Sequence, residues 1–175
     1  YVDEVIRRYS EQSYENFDLV GLYCTEENLY AIGDIITEIN DYIHSKGLKN
    51  YWIPYWNNND QYALKWADYH FDLAWRQPNY FFYNNDGSLP KKSQLKECIR
   101  NSKYFGLGLE LEFETSGTSN GLHEVSASMH QRLVDYIDAF EEQGVWESSG
   151  VAHYTGSKGL VDMAGSLDPV NAATI

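Results

Sequence analysis

Short apolar runs alternate with helical patterns along this chain, and that alternation limits the folds open to it more than any other feature. "EVIRRYSEQ" reads as a short helix, and "FDLVGLYC" (17–24) as the first strand. Residues 28–47 then place Leu29, Ile32, Ile36, Ile39 and Ile43 at helical spacing, with Gly47 as the stop. "NYWIPYW" (50–56) and "FDLAWRQPNYFF" (71–82) are the next strands, separated by a short helix in "NNNDQYALKWADYH". A helix through "KKSQLKECIRNSKYFG" leads to the strand "LGLELEFET" (107–115). A further helix carries Leu122, Val125, Met129, Leu133, Ile137 and Phe140 on one face, and "GVAHYT" (150–155) is the last strand. Strands alternating with helices imply βαβ units and a parallel sheet.

A doubly wound sheet and part of a (β/α)₈ barrel both satisfy that pattern. The first often carries a glycine-rich phosphate loop, and neither GxGxxG nor GxxxxGK[ST] occurs here. The second usually takes about 250 residues, so a chain of 175 is short by roughly three βα units. Polar and aromatic residues gather after each strand: "TEEN", "YWNNN", "RQPNYFF", "EFET" and "HYTG". Barrel enzymes build their sites from such strand ends, although doubly wound sheets also bind ligands there.

The acidic strand is the sharpest of these signals. Glu110, Glu112 and Glu114 occupy every second position of an otherwise apolar run, so they share one side of a strand while Leu109, Leu111 and Phe113 share the other. On a solvated edge strand the pattern is bland. Inside a barrel, the carboxylates need partners or one keeps its proton and its pKa rises, the environment in which catalytic acids are made. Glu26 and Glu27 follow the first strand and supply a second carboxylate position, only one of the two being expected to face a shared cleft. Trp52, Tyr55, Trp56 and Asn57 form a candidate stacking wall with a polar edge. Arg76, Gln77, Asn79 and Tyr80 offer groups for hydroxyls, and His153 with Tyr154 ends the last strand.

The charge narrows the partners. With 26 Asp and Glu against 13 Lys and Arg, the net charge of −13 disfavours nucleic acid and anionic membrane. No apolar run reaches the length of a membrane span, and no signal-peptide pattern occurs within the sequence, which begins at Tyr1 rather than Met. Cys24 and Cys98 share no metal-ligand spacing with each other or with a histidine. HxH, HExxH and GxSxG are absent, and no cofactor is expected.

The runs "GLYCTEE", "YWIPYWN", "FDLAWRQPNYFF" and "GLGLELEFE", in this order, resemble a bacterial family catalogued as a domain of unknown function. The resemblance covers about residues 17–155. It implies a glycoside-hydrolase-type (β/α)₈ barrel, of which residues 1–175 would be one partial domain, the C-terminal part from about strand four to strand eight. On that count the first strand is barrel strand four and "GLELEFE" is strand seven. Many retaining glycosidases carry the acid/base on the former and the nucleophile on the latter. The resemblance therefore implies that Glu26 or Glu27 protonates the leaving oxygen and that Glu110 or Glu112 attacks the anomeric carbon, with carboxyls about 5 to 5.5 Å apart. The substrate expected is a polysaccharide or glycan, and the location extracellular or at the cell envelope. A fragment would leave open sheet edges, so the missing part of the barrel or a second copy is an expected partner. Two rival readings remain: a sugar-binding barrel without turnover, and an open sheet holding a divalent metal on Glu26, Glu27, Glu110 and Glu112.

Overall fold

The computed structural model describes residues 1–57, 60–82, 88–113, 116–117, 123–124, 127–156 and 161. In chain order the elements are α1 (Val2–Ser10), β1 (Gly21–Cys24), α2 (Ile36–Ser45), β2 (Lys49–Trp52), α3 (Asp60–Ala63) and β3 (Leu73–Arg76). They continue with α4 (Lys92–Phe105), β4 (Gly108–Glu112), β5 (Ser116–Gly117), β6 (His123–Glu124), α5 (Ala127–Glu142), α6 (Val145–Ser148) and β7 (Val151–Tyr154). Two compact units result, Tyr1–Pro54 with Asn59–Ala74, and Tyr55–Asn58 with Trp75–Ile175.

In the first unit β1 pairs with β2 in parallel from Gly21↔Lys49 to Cys24↔Trp52. β2 pairs in parallel with the start of β3 at Tyr51↔Leu73 and Trp52↔Ala74. Two buried asparagines tie a helix to this sheet. Asn50 of β2 donates its side-chain amide to Asn40 Oδ1 of α2, and Asn40 donates to the Tyr69 carbonyl at 2.6 Å. Asp72 accepts the Asn50 backbone N–H at 2.8 Å and lies 2.8 Å from His44 Nε2.

In the second unit the end of β3 pairs with β4 in parallel at Trp75↔Gly108 and Arg76↔Leu109. β4 pairs in parallel with β7 from Leu109↔Val151 to Glu112↔Tyr154. Leu95, Cys98 and Ile99 of α4 pack with Leu109, Leu111 and Phe113, with Leu133, Tyr136, Ala139 and Phe140 of α5, and with Tyr80 and Phe81. α4 stops at Gly106, whose φ of +71° suits glycine and lets residues 106 and 107 donate to the Lys103 and Ser102 carbonyls. Cys24 and Cys98 are both free thiols. Each unit keeps its parallel strands in chain order, β1-β2-β3 and β3-β4-β7. Such sequential order occurs in a barrel and within either half of a doubly wound sheet.

Several boundaries differ from the sequence expectation. The helix expected from residue 28 starts at Ile36; the residues before it form turns, in which Gly33 donates to the Leu29 carbonyl at 2.6 Å and lies too close to that carbonyl for a Cβ. The strand expected over 71–82 ends at Arg76, where Pro78 and Asn79 (φ +54°) turn the chain. Pro54 likewise falls outside β2, leaving Tyr55 in a single bridge to Gln77. The helix expected from 122 begins at Ala127, after the two-residue strand β6. Leu122, Val125 and Glu114 lie outside the described residues. On α5 the buried stripe runs through Leu133, Tyr136 and Phe140, while Ile137 is exposed.

Gly108 shows how tightly β4 is seated. A Cβ there would lie 2.4 Å from Trp75 Cδ1 and 2.6 Å from the Gly150 carbonyl. Gly108→Ala is expected to cost about 1–3 kcal/mol through overpacking, read as a lower urea midpoint with an unchanged slope.

Candidate functional site

Alternation along β4 puts Glu110 and Glu112 on one side of the strand, and neither is on a solvated face. Glu110 retains 5% of its exposure and Glu112 none. The bland reading of the acidic run, an edge face washed by solvent, does not hold at these two positions. Glu112 Oε2 accepts two hydrogen bonds, from the Tyr136 hydroxyl of α5 and from the Tyr80 backbone N–H at 3.0 Å. Glu112 Oε1 is buried without a hydrogen-bond partner among the described residues. Burial pushes the Glu112 carboxyl up to about 8, and the Glu110 carboxylate adds to the rise. The Tyr136, Tyr80 and Gln77 bonds act the other way without reversing it.

The second unit also holds most of the residues that the sequence picks out. Trp56 N–H donates to the Gln77 carbonyl at 3.0 Å, and the Trp56 carbonyl accepts from Arg76 Nη2. The Arg76 guanidinium is buried and lies 5.4 Å from the Phe105 ring centroid. Tyr80 stands edge-on to Tyr136 at 5.5 Å, and its hydroxyl donates to Asp135 at 2.6 Å. Asp135 in turn accepts from Lys92 at 2.9 Å, so an ion pair borders the buried acid. Asn79 takes the left-handed backbone at the turn. Asn57, His153 and Tyr154 are exposed, with Tyr154 registered opposite Glu112 and edge-on to Phe82 at 6.0 Å. Trp56 Nε1 and Gln77 Oε1 are buried polar atoms without a protein partner.

Glu26, Glu27 and Trp52 belong to the first unit. Trp52 is a core residue there: it has no exposed surface, stacks on Phe71 at 5.2 Å and donates Nε1 to the Glu26 carbonyl at 2.8 Å. Glu26 and Glu27 sit in the loop after β1, well before α2, so no helix dipole accounts for them. Glu27 is exposed by area, yet enough protein surrounds the carboxyl for burial to push it above its usual range.

Two features escaped sequence reading. Tyr136 was passed over for Ile137 on α5, although the spacing 129, 133, 136, 140 also makes a helical stripe. Asp135 and Lys92 carried no sequence signal. Among the described residues no three His, Cys, Asp or Glu side chains gather as a metal site requires. No helix among them is long and apolar enough to cross a membrane. An open groove of about 540 Å³ in the first unit is lined by Val2, Asp3, Ile35, Glu38, Ile39 and Tyr42, and none of the site residues borders it.

Removing the Tyr136 hydroxyl isolates its role. Tyr136→Phe is expected to cost about 1–3 kcal/mol in urea denaturation, because a buried acceptor loses its donor, and to push the Glu112 carboxyl higher still.

Comparison with known proteins places the chain. No curated protein matches it. Among solved structures, the intracellular xylanase TsXylA of Thermoanaerobacterium saccharolyticum is similar at 14% identity and a TM-score of 0.47, over 88% of this chain and 52% of that one. The chain thus spans about half the length of that xylanase. A family model matches residues 1–175 in full, and the chain belongs to that family, described as a domain of unknown function (DUF4855).

Proposed function

We propose that this chain is part of a glycoside-hydrolase-like barrel that cleaves glycosidic bonds in a polysaccharide or glycan, with Glu110 as the carboxylate that attacks the anomeric carbon. The observation that carries this reading is the pair of buried carboxyls on one side of β4, one of them pushed up to about 8. Paired acids driven to different protonation states are how one site holds a charged and a neutral carboxyl together. The sequential parallel strand order supports a barrel, in which β1 to β4 and β7 would stand for about strands four to eight. Retaining hydrolysis also needs a proton donor at the leaving oxygen. We assign it to Glu27 in preference to Glu26, since its upward shift is the direction a general acid requires. Trp56, Gln77, Asn79 and Tyr80 would position the sugar, and a polymeric substrate would put the protein outside the cell or at its envelope.

Binding without turnover is the second reading, and one observation favours it: Glu112 has no exposed surface. A panel of polysaccharides separates the two, with reducing ends released by the purified protein as the readout. Hydrolysis predicts release that Glu110→Gln lowers by at least about 100-fold with folding unchanged. Under the same reading Glu27→Gln slows substrates with poor leaving groups most. Saturable sugar binding with no release, and with affinity indifferent to Glu110→Gln, would establish the binding reading and end the hydrolytic one.

A further inference from the structure

We propose that Glu112 is a neutral carboxylic acid in the folded protein and serves as a positioning residue, leaving Glu110 to carry the negative charge on that side of β4. The inference rests on the carboxylate reading of β4 given above. The groups that meet Glu112 are unevenly placed: the Tyr136 hydroxyl and the Tyr80 N–H donate to Oε2, the Gln77 side chain also acts on the carboxyl, and Oε1 is buried with no hydrogen-bond partner among the described residues. An ionised carboxylate spreads its charge over two equivalent oxygens and gathers donors on both. Two donors on one oxygen suit a carbonyl, and Oε1 gathers none of the donors that an ionised oxygen would attract among the described residues. The residue is also completely buried, and its partners among the described residues are a phenol, a backbone amide and the Gln77 side chain, none positively charged. An unpaired buried carboxylate costs several kcal/mol, and keeping its proton avoids that cost.

The titratable groups around Glu112 agree. Glu110 lies on the same strand side and raises it, while Tyr136 faces it from α5, itself driven well above its usual range by burial. Cys98 of α4 lies behind Tyr136. Tyr154 of β7 is registered opposite. Asp135 and Arg132 engage the far side of Tyr80, its hydroxyl and its ring. As a neutral acid, Glu112 would fix Tyr80 and Tyr136 by direct hydrogen bonds while adding no second charge beside Glu110.

The folded-state value of about 8 stands above the ordinary 4.5. Below about 4.5 both folded and unfolded chains hold the proton. Between there and about 8 only the folded chain holds it, so this group's contribution to stability falls as pH rises and levels off above about 8.

Glu112→Gln is the decisive variant, because an amide reproduces a neutral acid: its carbonyl accepts from Tyr136 and Tyr80, and its NH₂ stands where the hydroxyl stood. Thermal unfolding of wild type and E112Q is compared at about pH 5 and about pH 8, beside a carbon-13 titration of the glutamate carboxyls. Wild type is expected to lose roughly 5–15 °C more in midpoint than E112Q over that interval. One carboxyl resonance is expected to titrate above neutrality and to be missing from E112Q. If the missing resonance titrates in the ordinary carboxylate range, or if E112Q weakens the fold equally at every pH, the assignment is overturned. Neither measurement uses a sugar, so the result stands apart from success or failure in detecting hydrolysis.

Discussion

Burying a carboxyl group whose hydrogen-bond partners among the described residues are all uncharged is a constraint that ties three parts of the second unit together. Glu112 has no exposed surface, and the groups that meet it come from two other parts of the chain: Tyr136 from α5 and Tyr80 from the segment after β3. Both aromatic residues also belong to the apolar core, so the bonds that satisfy the acid are made by side chains that packing already holds in place. Beyond Tyr80 the charges are paired: Asp135 accepts from the Tyr80 hydroxyl and from Lys92, where solvent still reaches.

The backbone plan was legible because it depends on periodicity. Five apolar runs alternating with helical stretches predicted five parallel strands; β1, β3, β4 and β7 lie within those runs, and β2 starts one residue before its run, at Lys49. Element ends were less legible, since they turn on single residues. Pro78 with Asn79 cuts β3 to four residues where the apolar run is much longer. Nothing in local hydrophobicity separates "LAWR" from the "NYFF" that follows; the turn chemistry does.

The site was legible in part. Alternating glutamates in an apolar strand flagged the buried pair, because a carboxylate in such a run must be either wet or satisfied. The satisfying group was not visible. Tyr136 lies 24 residues away, and a tyrosine on a helix stripe looks the same whether it only fills space or also donates to an acid. Trp52 shows the opposite failure. Its place in an aromatic run suggested a sugar platform, while the structure stacks it on Phe71 inside the first unit. Aromatic composition cannot separate a platform from a core, because the same flat apolar face serves both.

Asn40 and Asn50 act as an alignment key in the first unit. Apolar side chains are forgiving partners: a helix lined only with isoleucine can slide or rotate against a sheet and still find apolar surface. The amide of Asn50 finds Asn40 in one setting of α2 against β2, and Asn40 then finds the Tyr69 carbonyl. Displacement by a single residue would strand polar groups in the interior, which makes the wrong settings costly even where the right one gains little. This part of the molecule therefore draws its uniqueness, as distinct from its strength, from two residues that a hydrophobicity plot would score as flaws.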